Sequence, residues 1–116
     1  MSLTVDYVVF GLAALAVAWL LFKRRGDIAP AEARRLVQGG ARLIDVRSAG
    51  EFASGHIAGA VNIPVQELGQ RLEQVGPKDR PVVLYCASGA RSAMAASMLK
   101  AKGWATVHNL GAMSRW

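Results

Sequence analysis

The chain has 116 residues, 53% of them hydrophobic, and its 14 Lys+Arg against 8 Asp+Glu give a formal charge of +6. That length holds one compact domain rather than two. A single cysteine excludes an internal disulfide and suits a reducing compartment. The two histidines make no zinc pattern with it, and the few aromatics are not interleaved with basic residues as a nucleic-acid surface requires.

From Tyr7 to Phe22 no charged or strongly polar residue interrupts the chain. As a helix this run is about 24 Å long at roughly 1.5 Å per residue, against about 30 Å of hydrocarbon core. Counting from Leu3 reaches the required length, with Asp6 near one membrane face. A cleaved signal peptide carries positive charge before its apolar run, and Met1 to Asp6 has none. A buried core helix shows a polar face, and none is present here. Residues 1–26 therefore read as a transmembrane anchor with a basic stop, Lys23-Arg24-Arg25, and with Tyr7 and Trp19 at the interfaces. The basic cluster predicts a cytoplasmic location for residues 27–116. That remainder holds eleven basic and seven acidic residues, so it is only mildly basic.

Pro30 suits the first turn of a helix that carries Ala33, Leu36 and Val37 and stops at Gly39-Gly40. Leu43 to Val46 is a first strand. Glu51 to Ser54 forms a single helical turn, and Ala60 to Ile63 a second strand stopped by Pro64. Val65, Leu68, Leu72 and Val75 share one helical face, which predicts a helix from Gln66 to Gln74. Val82 to Tyr85 is apolar on both faces, the mark of a central parallel strand covered on both sides. A helix from Ser92 to Ala101 follows, with Met94, Met98 and Leu99 inward, and Thr106 to Asn109 is the last strand. Alternating strands and helices give an α/β fold with a mostly parallel central sheet and helices on both faces.

The loop Cys86-Ala87-Ser88-Gly89-Ala90-Arg91-Ser92 falls at the carboxyl end of the central strand, where such sheets place their sites. A free thiol has a pKa near 8.5, so a nucleophilic cysteine needs help to ionise. A helix N-terminus offers unpaired N–H groups and partial positive charge. The small residues Ala87, Gly89 and Ala90 let successive N–H groups turn inward as an anion nest. Arg91 adds a permanent charge able to bind an oxyanion. This is nucleophilic catalysis without a general base. The bland alternatives are that Cys86 is a packing residue, that Arg91 is a structural ion pair, and that Ser88 and Ser92 cap the helix rather than bond the sulfur.

Three stretches resemble the rhodanese homology domain. They are Leu43-Ile44-Asp45-Val46-Arg47 with Glu51-Phe52 and Gly55 to Pro64, then Cys86 to Ser92, and Leu110-Gly111-Ala112-Met113-Ser114-Arg115-Trp116. The family usually has a second glycine where Ala112 stands, and its chain often continues past that tryptophan. With the N-terminal run, the chain is similar to membrane-anchored, single-domain bacterial rhodaneses, which implies the bacterial inner membrane. The resemblance implies a sulfurtransferase with Cys86 as persulfide carrier, Ala87 to Ser92 as substrate loop, no metal and no cofactor. Its partners would be a small sulfur donor and an acceptor, a protein thiol among the candidates. Related phosphatases separate cysteine and arginine by five residues; the four here belong with sulfur chemistry. Asp45 and Arg47 are supporting candidates near the site; equally, Asp45 bonds loop backbone and Arg47 pairs with Glu51. His56 reads as structural and His108 as a strand residue. A rhodanese fold used only to dock a partner at the membrane is the alternative from another class.

Overall fold

A computed structural model describes the backbone of residues 3–116 and the side chains of 6–18 and 26–116. Helix α1 (Leu3–Arg25) precedes an alternating series: α2 (Pro30–Gln38), β1 (Arg42–Asp45), α3 (Ala49–Ala53), β2 (Val61–Asn62), β3 (Val82–Cys86), α4 (Ala90–Ala101) and β4 (Val107–Ala112). The four strands form one sheet in the order β2-β1-β3-β4. Every pairing is parallel, so the central placement of β3 follows the sequence expectation.

Both faces of the sheet are covered, because consecutive residues of a strand point to opposite sides. Ile44, Val82, Leu84 and Cys86 pack with Ala95, Ala96 and Leu99 of α4 and with Leu68 and Val75. On the other face Leu43, Val83 and Tyr85 pack with Ala33 of α2, Ile57 and Leu110. All five residues of β3 are buried, which a strand enclosed on both faces requires.

Three expectations need correction. The helix read from Gln66 to Gln74 is instead two 3-10 segments, Val65–Gln70 and Leu72–Gln74. Arg71, at φ −126° and ψ 34°, leaves helical geometry between them, and Gly69 weakens the continuous turn. Leu68 and Val75 still reach the core. Met94 is not inward but 62% exposed. The buried stripe of α4 is Ser92, Ala95, Ala96 and Leu99, at the spacing of one helical face, and Met94 falls beside it. The last strand also extends beyond Asn109 to Ala112, with a register shift that leaves Leu110 as the extra residue opposite Leu84 and Tyr85.

Helix α1 exposes Tyr7, Phe10, Leu12 and Leu15. Among the described residues no helix is long and apolar enough to cross a membrane. The side chains of Trp19 and of Lys23-Arg24-Arg25, on which the anchor reading also leans, lie outside the described residues. Directly after α1, Gly26 adopts φ +69°, and a Cβ there would lie 2.1 Å from the Asn109 carbonyl oxygen. Asp27 then donates its N–H to Asn109 O at 2.8 Å, while its Oδ1 accepts from Asn109 N at 2.8 Å. His108 and Lys100 flank the same carboxylate at 3.7 and 3.9 Å.

Candidate active site

β3 ends at Cys86 and α4 starts at Ala90, so a three-residue turn must reverse the chain at the sheet's carboxyl edge. Gly89 makes this feasible with φ +104°, a conformation that side chains with a Cβ adopt only with strain. The turn folds the start of α4 over Cys86, which is fully buried. Its Sγ accepts from Gly89 N at 2.9 Å, lies 3.4 Å from Ser92 N, and lies 3.3 Å from Ser92 Oγ. Ser92 Oγ is also 3.1 Å from the Gly89 carbonyl, so its single proton serves one acceptor at a time. Three donors aimed at one sulfur, under a helix N-terminus, stabilise negative charge there.

Of the residues singled out in the loop, Cys86, Gly89 and Ser92 converge on the sulfur. Ala87, Ser88 and Ala90 are exposed and form the outer rim. Ser92, two residues inside α4, is not its cap; Gly89 holds that position without a side chain.

Arg91 sits at the mouth but is turned onto Glu51. Its Nη1 and Nη2 donate to the two Glu51 oxygens at 2.7 and 3.0 Å, each side chain being 36% exposed. The Arg91 guanidinium, helped by the Ser48 backbone N–H, holds the Glu51 carboxyl down to about 2. Glu51 in turn keeps the Arg91 guanidinium protonated beyond its ordinary range. Glu51 is positioned independently, because Ser48 caps α3 and donates both its N–H and its hydroxyl to Glu51 Oε1 at 3.1 Å.

Arg47 does not pair with Glu51. It grips Asp45 instead, with Nη2 to Oδ2 at 2.7 Å and Nε to Oδ1 at 3.0 Å, and it donates to the Gly55 carbonyl at 2.6 Å. The pair is almost wholly enclosed, and Asp45 Oδ1 also accepts from Arg47 N at 2.9 Å. The hydrogen bond from Arg47 to Asp45 raises the guanidinium's pKa against the opposing effect of burial. Tyr85 lies beneath Arg47, whose guanidinium carbon is 5.8 Å from the ring centroid. Its hydroxyl accepts from Ile57 N at 3.1 Å, and burial pushes its phenol well above the ordinary range. Asn62 Nδ2 donates to the Asp45 and Arg47 carbonyls, completing this largely buried cluster.

His56 stacks on Phe52 at 3.6 Å and bonds the Phe52 carbonyl, a local structural role. A surface cavity of about 190 Å³ lies at the joint of α1 with α4 and β4, lined by Asp27, Ser97 and Lys100 among others; no residue of the Cys86 loop lines it. No group of three or more potential metal-binding side chains occurs among the described residues.

A family model for the rhodanese-like domain matches residues 29–116, most of the chain and all of the site. The chain belongs to the rhodanese-like domain family. Bacillus subtilis protein YqhL is 46% identical over 77 residues, spanning 66% of this chain and 60% of that relative, so less than two thirds of its length is covered. Thiosulfate sulfurtransferase PspE of Escherichia coli is 35% identical over 71 residues, spanning 60% of this chain and 68% of the relative. Among solved structures, human single-domain sulfurtransferase TSTD1 superposes with a TM-score of 0.68 at 34% identity, covering 74% of this chain and 89% of that one.

The sequence reading offered Arg47 as the partner of Glu51, and the structure gives that place to Arg91. Arg91 is forty residues from Glu51 in the chain, whereas Arg47 is four from it and offered the simpler local pairing.

Proposed function

We propose that the protein is a sulfurtransferase that carries sulfane sulfur as a persulfide on Cys86. The observation behind this reading is the seat of Sγ, enclosed by the Gly89 and Ser92 donors at the N-terminus of α4. The sulfurtransferase names of its relatives agree with it. With thiosulfate as donor, the Cys86 thiolate attacks the sulfane sulfur. A new sulfur–sulfur bond forms as the donor's bond breaks, and sulfite departs with the electron pair. A thiophilic acceptor, such as cyanide, a small thiol or a protein thiol, then attacks the outer sulfur and releases the Cys86 thiolate. The loop N–H groups hold the persulfide's charge and Arg91 meets the oxyanion, so electrostatic stabilisation replaces acid–base catalysis. Ala87, Ser88 and Ala90 frame the entry, while Asp45 and Arg47 support the loop from below. No metal or cofactor enters these steps.

Incubation with thiosulfate is expected to add one sulfur atom to the intact mass, and Cys86→Ser to abolish the gain. An unchanged wild-type mass would overturn the assignment.

Residues 1–26 act, in the same proposal, as a single transmembrane anchor in a bacterial inner membrane, with residues 27–116 in the cytoplasm. The apolar run from Tyr7 to Phe22 and the exposed Tyr7 and Phe10 support it. The full chain should pellet with membranes and be released by detergent but not by alkaline carbonate. Recovery in the soluble fraction would refute the anchor.

A further inference from the structure

Arg47 and Arg91, the two arginines described beside the Cys86 loop, are each matched by a carboxylate. Arg47 is taken up by Asp45 and the Gly55 carbonyl. Arg91, the guanidinium at the mouth, presents two of its N–H groups to Glu51 in the bidentate arrangement that an incoming oxyanion would need. When Cys86 attacks as a thiolate, neither of these two arginines is left over as a surplus cation for a dianion. Glu51 also cannot retreat easily. Both the Ser48 hydroxyl and the Ser48 N–H hold Oε1, as part of the cap of α3. If Arg91 swings to an anion, the Glu51 charge stays where it is.

We infer that Glu51 is a specificity-determining residue. It occupies Arg91 and keeps a fixed negative charge at the mouth, which weights the site against dianionic sulfur donors and toward persulfides of thiols. The inference rests on the sulfur-transfer reading and names the donor class for that same site. For a thiol persulfide the step balances as simply as for thiosulfate. The Cys86 thiolate attacks the outer sulfur, the new sulfur–sulfur bond forms as the donor's breaks, and the donor's thiolate leaves with the electron pair. The reacting sulfur of such a donor is neutral or singly charged, so it meets Glu51 at much lower electrostatic cost than thiosulfate does.

Glu51→Gln tests this, because glutamine at the third position of the helix preserves the capping box while removing the charge. In steady-state assays with cyanide as acceptor, the KM for thiosulfate should fall about three- to tenfold, the range for one partly exposed charge acting on a dianion, with kcat changed less than about twofold. The KM for glutathione persulfide should change less than about twofold. Glu51→Asp, which retracts the carboxylate by one methylene, should shift the thiosulfate KM the same way by a smaller factor. A thiosulfate KM that is unchanged or raised in Glu51→Gln overturns the inference, because Glu51 would then only position Arg91. Anion binding is also read without sulfur transfer, from protection of Cys86 by inorganic sulfate against alkylation. The half-protecting concentration should fall in Glu51→Gln by a similar factor, and equal protection in the two proteins counts against the inference. If the wild type accepts no sulfur from either donor, the sulfurtransferase reading fails while the sulfate result still stands.

Discussion

Two arginine–carboxylate pairs lie beside the same loop and differ chiefly in burial. Arg47 and Asp45 retain 7% and 0% of their side-chain exposure, whereas Arg91 and Glu51 each retain 36%. In the first pair the carboxylate also serves a backbone N–H, the guanidinium also serves a carbonyl, and Tyr85 and Asn62 close the space around them. No solute can insert itself there. The second pair has no such enclosure. A buried pair fixes backbone; a half-exposed one can exchange its partner.

The largest effect expected from breaking this contrast is on stability. Asp45→Ala leaves Arg47 enclosed without a counter-charge and should cost about 3–5 kcal/mol in denaturant unfolding. A loss under about 1 kcal/mol would place both pairs in the same class. Next in size is Arg91→Lys, which keeps the charge but loses the fork. Its kcat/KM for thiosulfate should fall about a hundredfold, as when an oxyanion loses a well-placed donor, while unfolding shifts by less than about 1 kcal/mol. A variant that unfolds easily instead would make Arg91 a structural residue. The smallest effect is in acid. Glu51 titrates near 2 when folded against an ordinary 4.5, so the unfolded chain takes up its proton first. The stabilisation it supplies is complete well above pH 4.5 and fades as pH falls toward 2. The difference in urea midpoint between wild type and Glu51→Gln should therefore be constant near neutrality and shrink below pH 4.5. A difference that grows on acidification would mean that the depressed pKa is not a feature of the native pair.

Much of this arrangement was legible in the sequence because it is written locally. The alternation of β-prone runs with helical spacing predicts the parallel sheet, and the apolar stretch before Cys86 predicts that β3 is central. The loop's chemistry follows from one thiol, small neighbours and a helix start within seven residues. What escaped is set by packing across the chain. The Arg91–Glu51 pair joins residues on different elements, and periodicity carries no information about it. Met94 shows the same limit: its spacing fits an apolar stripe, yet the sheet receives the face beginning at Ser92. The helix read between Gln66 and Gln74 had the right inward residues, but the chain winds there as two 3-10 segments broken at Arg71.

The joint after α1 bears on how far the site can travel. Gly26 alone separates the helix from Asp27, and Asp27 is hydrogen-bonded in both directions to Asn109 on β4. Ten flexible residues in that place would let the domain wander by roughly 5–6 Å × √10, about 17 Å. One residue, packed against the Asn109 carbonyl, spans far less. The spacer between α1 and the first hydrogen bonds to β4 is thus one residue long, which gives Cys86 a short reach from the end of α1. An acceptor has to come within that reach.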